Sequence, residues 1–238
     1  MSSIVSFVGQ KGGSSKSILA QAYAVHMAML GCSVVMADMD HKKPDSHRWG
    51  NRRSDNNFDP AIRVHASGAK GGISKARVFE LADTHDVLVL DCGGDTDAQT
   101  TDIANRSDLL VVPTKTSVDE LDPAIILLHD LRRVGVPDRK VVVPLTRVST
   151  PSQEKFARTY LQEAGYAAMP ISLQYRPIWA DIKNDGRTLV ETGRPNIDDE
   201  ARLFLKGITD AVEASQAHNS NASPKPARKP RKLSEVRQ

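Results

Sequence analysis

Ile4-Val5-Ser6-Phe7-Val8-Gly9-Gln10-Lys11-Gly12-Gly13-Ser14-Ser15-Lys16-Ser17 is the stretch on which the fold turns. Residues 4–8 form a short, largely apolar run and predict a buried strand. Small residues follow at once, then a Lys-Ser pair, then a helical pattern over residues 17–30. Ile18, Ala22, Val25 and Met29 share one face of that helix, and Gly31 stands at the C-cap position. Strand, small-residue loop, Lys-Ser and helix in this order make a phosphate cradle. Small side chains let the backbone N–H groups of Gly12, Gly13, Ser14 and Ser15 turn inward, and the helix N-terminus, with Ser17 and Ile18, adds partial positive charge. Lys16 is placed to meet the β- and γ-phosphates of a nucleotide, and the Ser17 hydroxyl to coordinate magnesium.

Working outward, apolar runs at residues 33–37, 87–90, 109–112 and 141–145 predict further buried strands. Helices are predicted over 74–82, 97–105, 121–134, 152–164 and 200–214. Strands alternating with helices of this length imply an α/β fold, a mostly parallel twisted sheet with helices on both faces. The expected organisation is one domain over residues 1–214 and a basic Pro/Ser/Lys-rich tail over 215–238, with too little apolar surface to fold alone.

The net charge of +3 is unevenly spread. Residues 216–238 carry Lys225, Arg228, Lys229, Arg231, Lys232 and Arg237 against Glu235, so the tail holds +5 and the remainder −2. Such a tail suits an anionic polymer or surface. Cys32 and Cys92 are the only cysteines and are read as small buried residues, not as a disulfide framework. The seven histidines (His26, His41, His47, His65, His85, His129, His218) show no metal-ligand spacing. No apolar run approaches the length of a membrane span, and residues 1–4 lack the basic-then-apolar pattern of a signal peptide, which predicts a cytoplasmic protein.

The segment Lys11-Gly12-Gly13-Ser14-Ser15-Lys16-Ser17 resembles the deviant Walker A motif of the ParA/MinD ATPases, a P-loop family with an extra signature lysine at the position of Lys11. The resemblance extends over residues 4–210. Asp38-Met39-Asp40 looks like the family's Asp-x-Asp element, and Val87-Leu88-Val89-Leu90-Asp91 like its Walker B strand. Val112-Pro113-Thr114 and Leu145-Thr146-Arg147 end strands as in the family. The run from Asp38 to Trp49, with Pro44 and Arg48, and the segment 176–191 are most similar to the small plasmid-partition ParA proteins, and also to a relative that binds transfer-DNA borders.

The resemblance implies roles. Lys11 would cross a dimer interface to the partner's nucleotide, giving an ATP-dependent sandwich dimer. Lys16 and Lys11 would act on the phosphates, and Asp40 would orient or activate the attacking water. Asp91 would accept from a magnesium-bound water, with Asp38 supporting the same network. Gly93-Gly94-Asp95 would form a nucleotide-sensing loop, and Thr146 and Arg147 would lie near adenine. Two departures stand out: Ser15 occupies a position that is glycine in nearly every Walker A, and His41-Lys42 replaces the common Pro-Gln.

By the same resemblance the chain is expected to be a slow, partner-stimulated ATPase that uses ATP and Mg2+. It would bind DNA without sequence preference and drive plasmid or cargo positioning on the nucleoid, with a centromere-binding or adaptor protein as its stimulator. Candidate DNA-binding cations are Arg176, Lys183, Arg187, Arg194, Arg202 and Lys206 in the folded part and Lys225, Arg228, Lys229, Arg231 and Lys232 in the tail. An alternative is an ATP-dependent DNA-binding module in which Ser15 leaves negligible turnover. A small-molecule kinase or ligase would need an acceptor pocket for which no motif is visible. A membrane-binding terminal helix is disfavoured, because residues 216–238 offer only Leu233 and Val236 as bulky apolar residues, with Pro224, Pro226 and Pro230 among them.

Overall fold

A computed structural model describes residues 2–10, 13, 15–68, 72–94 and 98–222. The expected strands form. They are β1 (Ser3–Phe7), β2 (Val34–Asp38), β4 (Val87–Asp91), β5 (Leu109–Val111) and β6 (Val141–Val142), joined at one edge by a further short strand, β3 (Arg63–Ala66). All pairings are parallel, in the order β3-β2-β4-β1-β5-β6. Beyond β6 the pairing continues as single bridges, Thr114 with Leu145 and Val143 with Ala168, so the run 141–145 stays extended but is only partly laddered.

The helices are α1 (Lys16–Met29), α2 (Asp45–Asp55), α3 (Lys75–Val78), α4 (Ala98–Arg106), α5 (Val118–Arg133), α6 (Pro151–Glu163), α7 (Ile178–Ile182) and α8 (Pro195–Ala222). Residues 79–83 continue α3 as a 3₁₀ turn, so the helix expected over 74–82 is split between two geometries. Two apolar cores flank the sheet. One gathers Phe7, Leu19, Tyr23, Trp49, Phe204 and Ile208; the other gathers Leu88, Leu90, Leu121, Leu128 and Leu161. The alternation of inward residues along β4, with Val89 on one side and Leu88 and Leu90 on the other, is what a sheet buried on both faces requires.

α1 ends as the sequence predicts. Gly31 has φ +89°, its N–H donates to Ala28 O, and Cys32 N donates to Met27 O, which together close the helix in a Schellman turn.

The domain boundary expected at residue 214 falls inside a helix. α8 runs eight residues further to Ala222, Ser215 is buried with its hydroxyl donating to Asp108 O at 2.8 Å, and Gln216 Nε2 donates to Ser3 Oγ at 3.0 Å. Polar anchors to the ends of β1 and α4 hold this turn, not apolar burial. Residues 223–238, with the tail cations Lys225, Arg228, Lys229, Arg231 and Lys232, lie outside the described residues.

Candidate functional site

The strand register brings the motif residues together. Asp91 pairs in register with Phe7 on one side and Asp38 on the other, so β1, β2 and β4 end at one level. β1 is also the point where the order reverses, with β2 and β4 to one side and β5 and β6 to the other. Crevices at such switch points, past the C-terminal ends of the strands, are where open α/β sheets hold ligands.

The loop between β1 and α1 supplies the phosphate end. Gly13 has φ +86° and Ser15 φ +72°, with Ser15 standing at the N-cap of α1. The left-handed conformation is free of steric cost for glycine and costly for serine. The serine hydroxyl makes no cap bond; it lies 3.2 Å from Thr146 Oγ1. Lys11, Gly12 and Ser14 lie outside the described residues, as does Asp95.

Lys16 is buried at the first position of α1, with 7 % of its surface exposed. Burial lowers its pKa from the usual lysine value, against the pull of Asp91, Cys92, Asp40 and Glu120. The lysine is therefore set among carboxylates at the mouth of the cradle.

Asp91 is the hub of a buried polar chain. Ser46 Oγ donates to its Oδ2 at 2.6 Å, and Gln21 Nε2 donates in turn to Ser46 Oγ at 3.0 Å. Ser17 also hydrogen-bonds the Asp91 carboxylate. Burial pushes the Asp91 carboxyl up to about 7, the bonds from Ser46 and Ser17 and the charge of Lys16 opposing the rise. Its Oδ1 is buried without a partner. An unsatisfied buried carboxylate oxygen beside a serine hydroxyl and a lysine is a costly arrangement that a cation with its water shell relieves. The donor set of one hydroxyl and one carboxylate, both oxygen, fits magnesium, which keeps several waters beside phosphate oxygens. Gln21 and Ser46 carry no motif signal. The only hint of Gln21 in the sequence is an amide standing between alanines in an otherwise buried helix.

Asp38, beside Asp91 in the register, bonds to the backbone around it. Its Oδ1 accepts from Asp40 N at 3.1 Å and its Oδ2 from His47 N at 3.0 Å, with Ser46 N–H also bonded to it. Both oxygens thus accept from backbone N–H groups, and Asp38 caps the first turn of α2. Burial raises its pKa, and these same bonds hold the rise in check. Asp40 Oδ1 accepts from Lys42 N at 3.1 Å and Lys43 N at 2.9 Å, which fixes the turn containing His41-Lys42. A Cβ at Gly93 would stand 3.5 Å from Asp40 Oδ2, so the glycine leaves the carboxylate room at the end of β4.

A cavity of about 460 Å³ opens on the phosphate loop. Gly13, Ser15, Lys16, Ser17 and Ile18 line it together with Thr146, Arg147, Tyr175, Trp179, Lys183 and Leu189. The Arg147 guanidinium lies 5.2 Å from the centre of the Tyr175 ring. The loop residues and the two residues expected near a base thus share one space, sized for a nucleotide.

The folded cations are mostly neutralised. Arg176 bonds Glu200 at 2.7 Å, Arg187 bonds Asp185 at 2.7 Å, Arg202 bonds Asp199 at 2.8 Å and Lys206 bonds Asp210 at 2.7 Å. Arg176 and Lys183 line the nucleotide-sized cavity, while Arg194 is exposed before α8. Local pairing cancels much of the field that a polyanion would feel. Among the described residues, no group of three or more His, Cys, Asp or Glu is placed to hold a metal ion, and no helix is long and apolar enough to cross a membrane.

Comparison with known proteins agrees with the geometry. The family model of the ATPase MipZ matches residues 3–127, more than half of the chain. No curated protein matches it. Among solved structures, a ParA family ATPase from Chlorobium tepidum superposes with a TM-score of 0.69 at 16 % identity, covering 87 % of this chain and 99 % of that one. A plasmid partition protein from Borrelia burgdorferi bound to AMPPNP gives 0.66 at 12 %, covering 88 % and 99 %. The septum site-determining protein MinD from Pyrococcus horikoshii, complexed with Mg-ADP, gives 0.65 at 13 %, covering 94 % and 100 %. At these identities the superpositions establish the fold. With Asp38 and Asp91 paired in register at the strand ends, Ser17 of the cradle bonded to Asp91, and a family model spanning all three, the chain belongs to the MipZ family of ParA/MinD-type ATPases.

Proposed function

We propose that this chain binds ATP with magnesium, closes into an ATP-dependent homodimer, and uses nucleotide state to hold and release DNA in a partition or cargo-positioning system. The observation that carries this reading is that Lys16 and Ser17 line the cavity while both act on the buried Asp91, whose Oδ1 has no partner. Lys16 would bind the β- and γ-phosphates. The Ser17 hydroxyl and Asp91 would hold magnesium, Ser17 directly and Asp91 through a water. When bound, the cation would neutralise charge that develops on the phosphate oxygens. Asp40, held by two backbone N–H groups beside Gly93, would orient the attacking water. Lys11 would reach the partner subunit's nucleotide, which makes dimer closure depend on ATP. A centromere-binding or adaptor protein would stimulate turnover, and a nucleoid location would follow from DNA binding.

The pairing of Arg176, Arg187, Arg202 and Lys206 favours the tail cations, with Arg194, as the first DNA contact. Retention on DNA is therefore expected only with ATP, to fall steeply between low and moderate salt, and to vanish in Lys11→Ala. The check is DNA retention without nucleotide, with ADP and with ATP at two salt concentrations. Equal retention in all three states, lost on deleting residues 223–238, would make the tail a simple polycation and overturn the switch.

A second reading has its own observation. Ser15 at φ +72° strains the loop beside Lys16, which favours a DNA-binding module with negligible turnover. Ser15→Gly is expected to raise steady-state phosphate release several-fold, and to stabilise the unliganded protein by about 1 kcal/mol as the left-handed strain is relieved. Phosphate release measured with and without DNA checks it. A wild-type rate that Ser15→Gly does not change would remove the loop strain as the cause of slow turnover.

A further inference from the structure

The first turn of α2 lies against the end of β4 and is fixed there from both sides. Asp38, ending β2, bonds the backbone N–H groups of Ser46 and His47, so the sheet sets where Ser46 stands. The Ser46 side chain is fully buried. Its oxygen accepts from Gln21 Nε2 at 3.0 Å and its proton goes to Asp91 Oδ2 at 2.6 Å. A hydroxyl has a single proton. With the Gln21 amide occupying a lone pair, that proton is aimed at the carboxylate.

The orientation of a carboxylate about its last torsion is soft, since that torsion has no sharp rotamer wells. Hydrogen bonds must set it. Asp91 has two protein hydroxyl donors, Ser17 and Ser46. Ser17 is also the residue that would ligate the cation, through a lone pair of its oxygen, so this donor is shared between the cation and Asp91. Ser46 is enclosed between Gln21, Asp91 and its own helix turn, and its proton serves Asp91 alone. It is the donor whose placement does not depend on whether the site is filled.

We propose that Ser46, oriented by Gln21, is a positioning residue that holds Asp91 Oδ2 so that Oδ1 stays turned toward magnesium. The proposal rests on the reading of the site as a magnesium–nucleotide centre. It also gives α2, which follows the Asp40 turn, a direct mechanical link to the Walker B aspartate. Outer hydrogen-bond partners of this kind typically set metal affinity by about ten- to a hundred-fold.

The test measures the affinity of the full chain for a fluorescent ADP analogue in magnesium chloride and in EDTA. Its readout is the ratio of the two affinities. A merely structural role for Ser46 would move both affinities together and leave the ratio alone. Ser46→Ala is expected to lower the magnesium-dependent gain about tenfold, Ser46→Thr to restore most of it, and Gln21→Met to give an intermediate loss. If Ser46→Ala does not fold, Gln21→Met decides the matter. A wild-type ratio in whichever variant folds overturns the proposal. A wild-type protein that binds the analogue equally in magnesium and in EDTA would instead sink the magnesium–nucleotide reading itself.

Discussion

Arg53→Met is expected to lower the free energy of unfolding by about 3–5 kcal/mol, the cost of removing one partner from a buried ion pair. Arg53 lies on α2 with 1 % of its side chain exposed, and it bonds Glu191 through both terminal nitrogens at 2.9 and 2.8 Å. The same guanidinium donates to Gly186 O at 3.1 Å and to Pro60 O at 2.9 Å, and it packs beside the Trp49 and Phe58 rings. Methionine fills similar volume, so the loss measures the stranded Glu191 carboxylate and the orphaned carbonyls more than a cavity. The backbone leaves no slack for repacking. Gly186 has φ +100°, and a Cβ there would stand 2.5 Å from Arg53 N. Glu191 also accepts from Thr188 N and Oγ1, so Arg53→Met/Glu191→Leu should recover only part of the stability. Urea unfolding of both variants checks this, through a fall in midpoint at unchanged slope. A loss under about 1 kcal/mol would place Arg53 among weakly coupled surface pairs, against its burial.

This clamp explains which parts of the fold were legible. The β1 loop, the strand ends and the helices of the two cores announce themselves through apolar period and motif. α2 does not, because Asp45–Asp55 contains almost nothing apolar besides Trp49. Its place is set by an ion pair, by the Trp49 indole donating to Arg187 O at 3.3 Å, and by the Asp38 cap, all long-range partners invisible to local pattern. β3 is short and at the sheet edge, with no run of apolar residues to mark it. Within the site, Lys16, Ser17 and Asp91 could be named from type and spacing. The bonds of Asp38 are not legible, since a carboxylate at a strand end serves a metal or a helix start equally well until its donors are known. The end of α8 is similar: Ser215 and Gln216 look like tail residues and are held by single hydrogen bonds to Asp108 and to the first residue of β1. The segment 176–191 stands apart from α2 in sequence, yet the Arg53 clamp packs the two together.

Lys16→Met is expected to reduce ATP hydrolysis at least about a hundredfold, the scale of losing a preorganised charge at the reacting phosphate, and to weaken ATP more than ADP. The sign of its effect on stability is the opposite. Burial is the largest influence on Lys16 and acts against its charge, so an apolar side chain of similar length removes a desolvation cost from the unliganded protein. The neighbouring Asp91, held up to about 7 by its own burial, gives back little attraction where it is protonated. A triphosphate changes this balance, because it brings several negative charges close to Asp91 and Asp40, and Lys16 is the buried cation set among those carboxylates. The variant should therefore unfold at the same or a higher midpoint than the parent while failing to retain ATP. Trp179 lines the cavity, so its fluorescence can follow nucleotide titration in the same sample as the unfolding measurement. Parent-like ATP affinity, within about twofold, would mean that Lys16 does not touch the phosphates. A variant that loses both ATP and stability would mean instead that Lys16 holds the loop, and that the carboxylates around it are its partners in the fold before they are a site for anything else.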